Sequence, residues 1–118
     1  MKDNPIIFIA ADPRGYTVTF TQSQREHIDR KRTDVSNEAI ERSIVTPNAI
    51  YKSTEPSREV YFKQDKKSGK FPLFTKTVVN IDDEEKKEAS VVTCFYTQHI
   101  DGKIEGEEGG LLYADIRL

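Results

Sequence analysis

The chain has 118 residues, a formal net charge of −2, 36% apolar and 32% charged residues, which fits one domain with a thin core and is too short for two. No apolar run approaches the roughly 20 residues that span a bilayer, and the opening MKDNPIIFIAADP lacks the apolar stretch and small-residue cleavage site of a signal peptide. The single cysteine, Cys94, excludes an internal disulfide and a zinc site built mainly on thiolates.

Ile6 to Ala10 is an apolar run of strand length, and Tyr16 to Phe20 alternates like a second short strand. Asp12-Pro13-Arg14-Gly15 between them has turn chemistry. Thr21, with Gln24 three residues on, reads as a capping box opening a helix from Gln22 to about Arg32; Ile28 is its main apolar residue, so it is a surface helix. Ser36 is the next N-cap, and Ala39, Ile40, Ile44 and Val45 give residues 37–45 a helical stripe that ends before Pro47.

From residue 49 the period becomes that of strands. Residues 49–52, 58–63, 74–81 and 90–97 read as strands, separated by turns at 53–57, 64–70 and 82–88. The run Ser90–Thr97 is the best strand and is expected to be central. Leu111 to Ile116 suggests either an added edge strand or a segment that packs on a partner. The whole is a single α+β domain, 1–118: N-terminal strands (1–20), a helical part (21–46) and a mainly antiparallel β-meander (49–118). Two helices are expected on one face of the sheet.

Charge is unevenly spread. Residues 14–76 hold 13 Lys/Arg against 8 Asp/Glu, and residues 77–118 hold 4 against 10. One basic face can therefore form on an acidic protein, with the acidic turn Asp82–Glu88 expected away from it. The acid run at 82–85 lacks the glycine and alternation of a calcium loop, and Gly106–Gly110 lacks the Lys-Ser/Thr of a phosphate-binding loop, so no metal or cofactor is expected. Cys94, flanked by apolar residues, reads as a buried small hydrophobe.

The order of elements, with His27-Ile28 on the first helix, resembles the barnase–EndoU–colicin–RelE-like ribonuclease toxins, including those of phages and mobile elements. The matching pieces are Thr46-Pro47-Asn48-Ala49-Ile50-Tyr51 after the second helix, Arg58 to Lys63, Thr77 to Ile81, Val91 to Thr97 and Lys103 to Glu107. The N-terminal strands are a variable addition to that pattern. The resemblance implies a metal-independent RNA endonuclease in which the 2′-hydroxyl attacks and a cyclic phosphate is the product. It further implies RNA as substrate and a cognate immunity or antitoxin protein as partner. The location would be cytoplasmic, in a bacterium or phage-encoded, with delivery to another cell if the chain is part of a larger toxin.

Such chemistry needs a base, an acid and a cation for the phosphorane oxygens. With the resemblance, His27 is expected as general base or acid, and Lys63 with Arg58 as stabilisers of the phosphorane. Tyr61 would stack on or hydrogen-bond the nucleotide, and Thr93 would position the phosphate. Arg30, Lys31, Lys76, Thr97 and His99 are the expected RNA-binding residues. With Val60 and Phe62 packed under the helices, Tyr61 and Lys63 would face outward. His27, Arg30, Arg58, Lys63 and Lys76 would then share one concave basic surface. The alternative is a non-catalytic RNA- or protein-binding module of the same fold.

Overall fold

The change of period at Pro47 divides helices from the long meander in the computed structural model, which describes residues 4–31, 34–65, 73–97 and 110–115. Among these, seven strands and two helices form: β1 (Ile6–Ala11), β2 (Thr17–Thr21), α1 (Gln22–Arg30), α2 (Asn37–Val45), β3 (Ala49–Lys52), β4 (Arg58–Asp65), β5 (Leu73–Asp83), β6 (Glu88–Thr97) and β7 (Leu111–Ala114). The strands make one sheet in the order β1-β2-β6-β5-β4-β3-β7. It is an α+β fold with a mostly antiparallel sheet.

β4, β5 and β6 pair antiparallel in succession, because too few residues separate them for the crossover that a parallel return needs. The β2–β6 pair is parallel instead, Thr17 opposite Glu88 and Thr19 opposite Ser90. Nothing in the local sequence signals it, since α1 through β5 intervene. β6 is interior, flanked by β2 and β5, as expected of a central strand. β7 is an edge strand, as read, paired to β3.

Helix ends show which local signals act. Ser36 accepts a hydrogen bond from the Ala39 amide at 3.1 Å and caps α2 as expected. Thr21 has cap-like backbone angles, but its side chain makes no cap bond. It pairs with the Ser23 hydroxyl at 3.2 Å, so the expected capping box does not form. The helix also stops at Arg30, short of the expected end.

The core gathers Val18 and Phe20 of β2, Ile28 of α1, Ile40 and Ile44 of α2, and Ile50, Tyr61, Val79 and Val91 of the sheet. Burying each large side chain contributes on the order of 1.5–3 kcal/mol. α1 packs on β6 and β2, while α2 packs on β1, β4 and β5. Arg25 ties the two helices, donating to Val35 O at 2.8 Å and Asn37 Oδ1 at 3.0 Å.

A polar chain marks the sheet face under α2. Ser43 Oγ donates to Ile40 O at 2.6 Å. Its single proton thus spent, it accepts from Thr77 at 2.6 Å, and Thr77 in turn accepts from the Cys94 thiol at 3.1 Å. Burial pushes the Cys94 pKa up to about 12, as fits a structural thiol. Among the described residues, no helix is long and apolar enough to cross a membrane.

Candidate functional site

Directly paired strand residues share a face. Tyr61 pairs with Thr77, and Thr77 with Cys94, so all three lie on the α2 face. By the period of two, Glu59 and Lys63 join them, while Arg58, Val60 and Phe62 face the other way. This reverses the expectation for β4. Tyr61 is wholly buried and is not available to stack on a nucleotide.

The reversal separates the expected site residues. Arg58 and Lys63 are five residues apart on one strand, roughly 17 Å, and on opposite faces. They cannot hold the same phosphorane. Lys76, Thr93 and Thr97 lie on the face of Arg58, because Lys76 pairs with Phe62, Thr93 with Val78 and Thr97 with Phe74. There the Lys76 ammonium sits 5.7 Å from the Phe62 ring centre and 5.4 Å from that of Phe95, a cation between two aromatic rings. The named cations therefore do not form one basic surface. His99 lies outside the described residues.

Lys63 belongs to a row on the α2 face that runs through Thr75 on β5 to Tyr96 on β6, about 10 Å across three strands. α1 rests against β6, and half-buried His27, with Arg30, occupies its last turn; exposed Lys31 caps it. Arg30 and Lys31, both cations, suit the negative end of the helix dipole. None of His27, Arg30, Lys31 and Lys63 makes an ion pair among the described residues.

A second polar centre escaped the sequence reading. The Asp12 side chain is fully buried and accepts five hydrogen bonds. Its Oδ1 takes the Arg14 and Tyr16 amides, both at 2.8 Å, which closes the turn that Gly15 completes at φ +95. Its Oδ2 takes the Tyr61 hydroxyl at 2.6 Å and the Arg14 guanidinium at 2.9 and 3.2 Å. Arg14 Nη2 continues to Glu59 at 2.5 Å and covers the Tyr16 ring at 4.7 Å. Burial first, then the bond to Asp12, raises the Tyr61 pKa far above its ordinary value, so the phenol stays protonated.

This network backs a cleft of about 460 Å³. Tyr16 comes from the first turn, Lys52 from β3, Arg58 and Glu59 from β4, and Glu84 from the β5–β6 turn. Arg58 and the acidic turn therefore share a cleft, where the sequence suggested they would be apart. The missed signal was Asp12 itself: an acid in a turn beside an arginine reads as solvated, and only the distant Tyr61 and Glu59 make it a buried centre. Among the described residues no group of three His, Cys, Asp or Glu is placed to hold a metal ion. Compared with known proteins, the chain matches no family model, no curated protein and no solved structure.

Proposed function

We propose that the chain is a metal-independent RNA endonuclease of the toxin type, acting between α1 and the sheet face that carries Lys63. In this reading both helices share one face, and His27 stands over the row of Lys63, Thr75 and Tyr96. His27 takes the proton of the 2′-hydroxyl or returns one to the leaving 5′-oxygen, since an imidazole can serve in either role. Lys63 neutralises the charge that grows on the phosphorane oxygens. Arg30 and Lys31 hold flanking phosphates, and a cyclic phosphate is left on the upstream fragment. An immunity or antitoxin protein would cover this surface in the producing cell.

The observation that carries the reading is the absence of ion pairs at His27, Arg30, Lys31 and Lys63 among the described residues, alongside a tightly paired Arg14 and Arg25 elsewhere. Cations that make no ion pair among the described residues, beside a histidine, suit a polyanion. Incubation of the purified protein with total RNA in EDTA, followed by analysis of the new ends, tests it. Cyclic-phosphate ends are expected; intact RNA, or cleavage only with added metal, would overturn it.

One observation favours binding without cleavage as a second reading. Lys76 beside the partly exposed Phe95 ring, with Thr93 and Thr97 on the same face, combines a cation with an aromatic surface as single-strand binders do. RNA retained uncut in EDTA, with affinity falling in Lys76→Ala, would mark that reading.

A further inference from the structure

The sheet ends in two edge strands, β1 and β7, neither of which the proposed cleavage uses. Four of the five large apolar side chains exposed among the described residues lie on them: Ile6 and Ile9 on β1, Leu111 and Leu112 on β7. An edge strand offers unpaired N–H and C=O groups to another chain, and proteins commonly guard it with a charge or a proline. β1, Ile-Ile-Phe-Ile-Ala-Ala, carries neither. The Asp12 amide donates to Tyr16 O at 2.9 Å, so these two residues face each other as a bonded pair. Bonded and non-bonded pairs alternate along an antiparallel ladder. Ala10 opposite Val18 is therefore bonded too, which leaves the N–H and C=O of Ile9 and Ala11 on the free side of the strand. Ile9 is 57% exposed, and Ala11 is exposed as well. Their side chains share the face opposite the helices with their partners Thr19 and Thr17, an uncharged strip.

We propose that β1 pairs antiparallel with β1 of a second copy of this chain, about a two-fold axis at Ala10. Ile9 of each copy then exchanges both backbone bonds with Ala11 of the other, and the two sheets join into one. Large Ile9 meets small Ala11, and Ala10 meets Ala10, so no like charges come opposite one another. The ladder ends at Phe8, because the register shift between Ile6 and Phe8 bends the strand there. A second copy is the occupant this edge fits, since it is uncharged along its length and complementary to itself. Two chains of net charge −2 also repel each other little. Two-fold pairing closes at two copies, whereas β1 on β7 of the next chain would leave free edges and run on into a filament. β7 is the poorer edge for a two-fold contact: it has four residues, and its pairing with β3 is irregular between Ile50 and Tyr51. So short a contact is smaller than a standard interface of roughly 1,600 Å², which makes the dimer weak and concentration-dependent.

Dimerisation is measured without RNA, so its outcome is separate from that of the cleavage reading. Sedimentation velocity of the full chain, from about 10 µM to about 1 mM, should show monomer giving way to dimer as concentration rises. Ile9→Lys, which places a cation where guarded edges carry one, should weaken the dimer about tenfold or more. Leu111→Lys, on the opposite edge, should leave it unchanged, and circular dichroism verifies that each variant is folded. In the native chain, amide hydrogen exchange at Ile9 and Ala11 should slow as concentration rises, while exchange at Ala10, already bonded to β2, should not change. A chain that stays monomeric at about 1 mM would overturn the proposal. So would a dimer unaffected by Ile9→Lys, loss of the dimer in Leu111→Lys alone, species that grow past the dimer, or exchange at Ile9 and Ala11 that is independent of concentration.

Discussion

Asp12→Asn isolates what the buried carboxylate does, since it changes charge and one atom but little volume. The Asn carbonyl can still accept from the Arg14 and Tyr16 amides, so the turn keeps its two short bonds. The amide nitrogen then faces three former donors: Tyr61 Oη and the Arg14 Nε and Nη2. A phenol can turn and accept, but a guanidinium cannot, which leaves donor against donor. Removing one partner of a buried ion pair typically costs about 3–5 kcal/mol. Arg14 is 21% exposed and keeps Glu59, which places the loss at the low end, about 3 kcal/mol. For 118 residues that corresponds to a fall in Tm on the order of 10 °C. Urea titration should show a lower midpoint with an unchanged slope. Tyr61→Phe, which removes one bond to the carboxylate, should lose about half as much. A loss under about 1 kcal/mol for Asp12→Asn would refute the reasoning, because the centre would then contribute no more than a surface pair.

The two helix caps should respond differently: Ser36→Ala is expected to cost about 1 kcal/mol in urea unfolding, and Thr21→Ala close to nothing. Equal losses would contradict the cap geometry. The Cys94 thiol, with its pKa pushed up to about 12, stays protonated in the folded chain while the unfolded thiol ionises near pH 9. The unfolded state then binds fewer protons, so stability declines as pH rises from 9 toward 12. Between pH 8.5 and 10 the urea midpoint should fall in the native chain and fall less steeply in Cys94→Ala; parallel slopes would exclude Cys94 as the cause.

Local signals were legible where a residue acts on its immediate neighbours. Ser36 and the Ala39, Ile40, Ile44 stripe define α2, and the few residues between β4 and β5 and between β5 and β6 dictate antiparallel return. The orientation of β4 was not legible, because Val60-Tyr61-Phe62 are all apolar or aromatic and offer no alternation to read. What decides it is a hydrogen-bond partner 47 residues earlier, Arg14, together with Asp12. The parallel β2–β6 pairing is likewise set by long-range packing. One feature of the site was available from spacing alone: residues five apart on a strand face opposite ways, which separates Arg58 from Lys63. Composition gave the basic character of residues 14–76, but only the register divides those cations between two faces.

The central claim is that His27 and Lys63 act on RNA, and single-turnover cleavage of a labelled RNA in EDTA tests it most directly. Both His27→Ala and Lys63→Ala variants should first show cooperative unfolding. The account predicts that His27→Ala lowers the cleavage rate about 10²–10⁴-fold, the usual contribution of a general acid or base. Lys63→Ala should also slow cleavage, whereas Arg58→Ala, at the other end of the strand, should leave the rate of the bound complex within a few-fold of the parent. Full activity in His27→Ala would contradict the account.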